Sequence, residues 1–179
     1  PPEPLIFLKP TSAVIGPEDP IQLPRASRQV DFEGEIAVVI GHRAKNVSRA
    51  NAEKFILGYT LMNDVTARDL QRSDGQWTRA KGFDTFAPLG PWIVSGLSPR
   101  RLAIESYVNG HRRQSSSTSK LIFDIPTLVS FISHVMTLNP GDVISTGTPS
   151  GVGPLQRGDR VEIRCPAIGS LINPVQKKA

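Results

Sequence analysis

A chain of 179 residues fits one domain and can bury a real core, though apolar residues at 39% and aromatics at 6% keep that core lean. The net charge of +5 comes from 21 basic residues spread thinly, with pairs such as Arg112-Arg113 and Lys177-Lys178 but no aromatic-interleaved stripe and no nucleic-acid motif. No run of about 18 apolar residues could span a membrane, no signal peptide appears, and a single cysteine, Cys165, excludes an internal disulfide, which suits a cytoplasmic protein.

The chain starts at Pro1 without Met, so a trimmed or missing upstream segment is expected. Leu5 to Leu8 reads as a short strand that Lys9-Pro10-Thr11-Ser12 leaves as a loop. Gly16-Pro17 and Asp19-Pro20 are turns, and Ile21 to Leu23 is a second short strand ended by Pro24. Asp31-Phe32-Glu33-Gly34-Glu35 then alternates before Ile36 to Ile40 becomes wholly apolar, the pattern of a strand entering a core. A period of two places Asp31, Glu33 and Glu35 on one face. Like charges on a buried strand repel and lose hydration. A divalent cation would keep them charged; on a solvated edge they need no partner. Gly34 leaves the opposite face bare, which suits close approach by another element.

Beyond Gly41-His42, Ser48 is placed to cap a helix whose Phe55 and Ile56 face inward and which Gly58 ends. Tyr59 to Met62 extends into Asn63-Asp64. Residues 65–80 are polar without a clear period, a loop of functional length. Trp92 to Val94 is a strand. Ile104 to Val108, Asn109-Gly110 and His111 to Gln114 make the clearest hairpin, with a type I′ turn. Asp124 caps a helix with Pro126 in its first turn and an apolar stripe of Leu128, Phe131, Ile132, Val135 and Met136. His134 beside it reads as a surface or packing histidine. Val143 to Thr146 is a strand that runs into the glycine-rich stretch 147–153. Val161, Ile163 and Cys165 share a buried strand face, and Ile168 to Val175 is a last strand broken at Asn173-Pro174. Short strands outnumber two short helices, so the expected class is α+β and β-rich.

Glu33 and Glu35 offer two oxygen ligands, and Asp64, at the end of an apolar strand, offers a third. An all-oxygen set suits magnesium, manganese or calcium. His42, His111 and His134 form no ligand-like pair, which argues against zinc. No nucleophile elbow is present. The 147–153 stretch lacks the lysine and the strand–loop–helix setting of a nucleotide loop; it is either a wide turn or a cradle whose amides hold a carboxylate or phosphate.

Taken together, Asp31-Phe32-Glu33-Gly34-Glu35, Asn63-Asp64-Val65-Thr66-Ala67-Arg68-Asp69-Leu70-Gln71, Lys81-Gly82-Phe83-Asp84, Gly147-Thr148-Pro149-Ser150-Gly151-Val152-Gly153 and Gly169-Ser170-Leu171-Ile172-Asn173 resemble the fumarylacetoacetate hydrolase family. The resemblance covers nearly the whole chain, in order. It implies a mixed β-sandwich roll, one catalytic domain over residues 1–179, a homodimer, and a small 2-oxo or 2-hydroxy dicarboxylate as substrate. It puts metal ligands on Glu33, Glu35 and Asp64, with Mg²⁺ or Mn²⁺ as the ion. Lys81 and Glu33 are the implied catalytic residues; Arg68, Gln71, Lys81, Gly147 and Thr148 are the implied substrate contacts.

The family commonly carries a His and a Glu on a lid helix upstream of the stretch matching Phe7-Leu8-Lys9-Pro10, and that segment is expected to precede Pro1. The stretch from Lys81 to Pro91 looks most like isomerases or decarboxylases of aromatic-acid breakdown, with 2-hydroxyhepta-2,4-diene-1,7-dioate as the implied substrate. An acylpyruvate or fumarylacetoacetate-type hydrolase, an oxaloacetate decarboxylase and a non-catalytic binding protein of the same fold are the alternatives.

Overall fold

A computed structural model describes residues 1–177; of the pair Lys177-Lys178, Lys178 lies outside the described residues. Its strands and helices run β1 (Val14–Ile15), β2 (Ile21–Leu23), β3 (Val30–Phe32), β4 (Gly34–Ile40), β5 (Ile56–Asn63), β6 (Thr66–Ala67), α1 (Arg68–Asp74), α2 (Thr78–Lys81), β7 (Ala87–Val94), β8 (Ala103–Val108), β9 (His111–Ser117), α3 (Ile125–Val135), β10 (Val143–Ser145), β11 (Gly153–Pro154), β12 (Arg160–Cys165) and β13 (Gly169–Lys177). One five-stranded sheet has the order β1-β7-β5-β4-β10, a second β2-β13-β12-β8-β9, and a three-stranded sheet β11-β3-β6. This is the α+β, β-rich class that the sequence implies. Ile36, Val38 and Leu61 of the first large sheet join Ile104, Ile163 and Leu171 of the second in one buried cluster. Every residue of β4 is buried. Its second face meets a smaller cluster of Ala13, Met62 and Ala87 around Ala37, so both faces are packed and the run from Ile36 to Ile40 has no polar position.

The acidic run is two strands rather than one. Glu33 stands between β3, in the small sheet, and β4, in the large one. The end of β5 clamps this bend: Asp64 N donates to Glu33 O at 2.8 Å, and Glu33 N donates to Asn63 Oδ1 at 2.9 Å. Gly34 answers to the opposite sheet, since a Cβ there would lie 2.2 Å from Ser106 Oγ. Its N–H donates to Gln114 Oε1 at 3.1 Å. The Gln114 amide in turn donates to Thr148 Oγ1 and Pro149 O, and the Thr148 hydroxyl donates to Gly34 O. One buried glutamine thus ties β4 and β9 to the 147–153 stretch, which is a built wall rather than a loose turn.

Several local expectations change. Leu5 to Leu8 pairs with no strand. Ser48 precedes a 3₁₀ helix, Arg49–Phe55, without a side-chain cap, and Gly58 lies inside β5, where a Cβ would meet Val94 O at 2.6 Å. Residues 65–80 hold β6, α1 and α2; each is too short to show a period. In α3 the Asp124 cap is present, but the buried face is Ile125, Leu128, Val129 and Ser133, while Val135 is exposed. Ser133 turns inward because its hydroxyl accepts from Val47 N and donates to Ser130 O. β13 runs unbroken through Asn173-Pro174: β2 pairs only from Val175 onward, so the missing N–H of Pro174 costs no ladder bond on that side. The hairpin has positive φ at Asn109 and Gly110, His134 is exposed and Cys165 is buried, all as the sequence implies. Among the described residues no helix is long and apolar enough to cross a membrane.

Candidate active site

Three chain segments deliver three carboxylates to one point. Glu33 comes from the bend, Glu35 from the start of β4 and Asp64 from just past β5, and one oxygen of each lies within 4.8 Å of the others. All three are buried. Oxygens on opposite sides of a six-coordinate ion with bonds of about 2.1 Å stand roughly 4 Å apart, so the spacing suits a small divalent cation. Asp64 Oδ1 is enclosed and receives no hydrogen bond of proper geometry; it has only an ion pair with Lys9 Nζ at 2.6 Å. The hydrogen bonds to Glu35 converge on Oε2, from Ser145 Oγ at 2.5 Å and Gly147 N at 2.7 Å. Among the described residues Glu35 Oε1 has no partner, while the Glu33 and Asp64 oxygens hold the side chains of Arg68, Lys81 and Lys9, positive charges that stand where an ion would; the trio is capable of chelating one.

The electrostatics point the same way. Lys81, 2% exposed, places Nζ 2.9 Å from Glu33 Oε2 and 2.6 Å from Asp64 Oδ2, under the Phe7 ring. Burial pulls its pKa down, but the Asp64 and Glu33 charges outweigh that and raise it. Arg68 spans Asp31 at 2.9 Å and Glu33 at 2.5 Å. Lys9 donates to Val65 O, and burial lowers its pKa despite Asp64. Among the described residues Lys9, Arg68 and Lys81 pair with Asp31, Glu33 and Asp64. Among the described residues Glu35 is the carboxylate of this cluster without a cation. Burial, then the charge of Asp64, push its pKa up to about 8, against the hydrogen bonds from Ser145 and Gly147. A cation at the trio would remove that penalty.

A cavity of about 580 Å³ opens onto this cluster. Glu33, Glu35, Asp64, Arg68, Gln71, Lys81, Gly147 and Thr148 all line it. Gln71 accepts from Arg68 through Oε1, which leaves its NH₂ group as a donor. The Gly147 amide and the Thr148 hydroxyl are engaged by Glu35 and Gly34. Asp31, read from sequence as part of the acidic face, stands outside the trio because the strand breaks at Glu33 and Arg68 binds it. Lys9 escaped sequence reading: it lies in an aperiodic segment beside Pro10, and only the fold carries it to Asp64.

A family profile described as fumarylacetoacetate (FAA) hydrolase C-terminal matches residues 1–176. A crystal structure of 5-carboxymethyl-2-hydroxymuconate delta-isomerase from Mycobacterium smegmatis is similar at 58% identity and a TM-score of 0.98, covering 100% of this chain and 71% of that one. The structure of 2-hydroxyhepta-2,4-diene-1,7-dioate isomerase from Mycobacterium marinum is similar at 55% identity and a TM-score of 0.97, over 99% of this chain and 70% of its own. Maleylpyruvate hydrolase from Sphingobium sp. SYK-6, in complex with manganese(II) and pyruvate, is similar at 38% identity and a TM-score of 0.90, over 97% and 64%.

Proposed function

The chain belongs to the fumarylacetoacetate hydrolase family, and from that premise we propose a divalent-metal-dependent isomerase of small unsaturated 2-hydroxy or 2-oxo diacids, with decarboxylation of a related diacid as a coupled activity. The observation that carries the reading is the buried Glu33, Glu35 and Asp64 trio, with Lys81 on the same cavity wall. Two isomerase structures of more than half identity support the reaction, and the manganese and pyruvate of the hydrolase structure support the ion and a 2-oxo acid. Glu33, Glu35 and Asp64 hold Mg²⁺ or Mn²⁺, which supplies Lewis acidity toward the carboxylate and carbonyl oxygens of the substrate.

The remaining work falls to the chain. Lys81 stabilises the negative charge on the substrate's 2-oxygen as the enol hydroxyl gives its proton to solvent and a carbon of the diene takes one from solvent, so that the double bond moves with no net change in protons. Arg68 pairs with Glu33 and holds its carboxylate in place, and Gln71 offers its NH₂ group to the substrate carboxylate. Gly147 and Thr148 form the wall against which the substrate lies. Residues 1–179 act as one catalytic domain, and two copies form a homodimer. A carbon–carbon hydrolase of acylpyruvates is the second reading, favoured by the likeness to maleylpyruvate hydrolase.

The test is to incubate the protein and Mg²⁺ with 2-hydroxyhepta-2,4-diene-1,7-dioate, its tricarboxylate precursor and an acylpyruvate, and to identify products by mass and absorbance. Double-bond migration in the dienol diacid is the expected result; pyruvate from the acylpyruvate with the others untouched overturns it. Glu35→Ala is expected to abolish Mg²⁺ binding in calorimetry, and equal binding in both proteins would sink the ligand assignment.

A further inference from the structure

We propose that Lys120 binds the far carboxylate of a diacid substrate and so sets the preference of this cavity for diacids over monoacids. The inference rests on the 2-oxo diacid reading above. The ionisable side chains on the cavity wall are Glu33, Glu35, Asp64, Arg68, Lys81 and Lys120. The first three form the acidic end, and Arg68 and Lys81 are bound to them. Lys120 is the cation left over: among the described residues its side chain makes no ion pair or hydrogen bond.

The backbone beneath Lys120 is anchored. Lys120 ends a single 3₁₀ turn, Thr118–Lys120, whose entry is capped by Ser117 Oγ accepting from Ser119 N. Thr118 N donates to Leu102 O at 3.0 Å, and Leu102 N donates back to Thr118 Oγ1 at 2.9 Å. Ile104, Leu121 and Leu128 add apolar wall to the same cavity, fit for an unsaturated carbon chain. With a 2-oxo acid head at the acidic end and a hydrocarbon chain along this wall, the second carboxylate is attracted to the cation without a partner, an interaction of exposed-pair strength. Lys120 is exposed, so its ammonium stays hydrated on a flexible stem that can turn toward a carboxylate in the cavity.

The experiment compares 2-oxoadipate with 2-oxohexanoate, which differ only in a far carboxylate against a methyl. Each is titrated calorimetrically into the Mg²⁺-loaded protein. The wild type is expected to prefer the diacid. Lys120→Ala should weaken the diacid about fivefold, the scale of an exposed ion pair, and the monoacid less than about twofold. Lys120→Arg should restore the preference, Lys120→Glu should invert it, and the wild-type preference should shrink with added salt. Equal weakening of both ligands, or no change in either, overturns the role of Lys120 while leaving the oxo-acid site standing. Failure of both ligands to bind the wild type overturns the site reading and this inference together.

Discussion

Removal of Lys81 is expected to separate binding from chemistry. Its ammonium neutralises Glu33 and Asp64 from 2.9 and 2.6 Å, so it competes with any cation for the same carboxylates. Lys81→Ala is expected to keep or tighten Mg²⁺ binding. The same variant should lower kcat by about 10²–10³, the scale of losing one charged stabiliser in a dry site. Breaking a buried pair leaves unpaired charge, so the assay belongs in saturating Mg²⁺, which supplies the missing positive charge. Unchanged kcat would remove Lys81 from the reaction. Glu35 shows the converse logic: with no cation of its own among the described residues and a pKa pushed up to about 8, it is the carboxylate of the trio that an ion would most help to stay charged.

At the scale of elements, α3 is held at its start by one residue with two tasks. Asp124 accepts from Thr127 N at 3.0 Å as the N-cap, and it pairs with Arg49 of the neighbouring 3₁₀ helix. The Arg49 hydrogen bond, helped by Thr127, holds its pKa down at about 2, below the usual carboxylate range. A carboxylate depressed in the folded state stabilises above its unfolded pKa and loses that contribution as pH falls through the folded one. Urea midpoints should therefore fall between about pH 4 and pH 2, and Asp124→Asn should flatten that segment while keeping the cap. Asp124→Ala should cost about 1 kcal/mol at neutral pH through the lost cap. A profile as steep in Asp124→Asn as in the wild type would show that other carboxylates drive it. The pair is exposed, so added salt should shrink the effect.

For the whole molecule, the homodimer is the prediction. Leu57 on β5 and Trp92 and Ile93 on β7 stand half exposed or more, apolar area that a second copy would remove from water. Light scattering at micromolar concentration should give about twice the 19.5 kDa chain mass. A mass of one chain under those conditions rejects it.

Local chemistry was legible wherever one stretch carried its own reason. Asn109-Gly110 announced a hairpin because both central residues need positive φ, and Asp124 announced a helix start because its carboxylate caps its own turn. The buried acidic trio was legible as residue types: Glu33 and Glu35 from alternation, Asp64 from its place after an apolar strand. What the sequence could not carry was which partner each charge meets. Period two put Asp31 with Glu33 and Glu35, yet a change of sheet at Glu33 hands Asp31 to Arg68. Gly147 looked like a free amide, and the fold spends its N–H on Glu35, 112 residues away. Lys9 read as part of a loop, and its place at the site appeared only with Asp64 beside it. The physical reason is common to these cases. Periodicity reports which face a side chain occupies, whereas a buried charge is governed by what stands within a few ångströms, and that is settled only when distant segments pack.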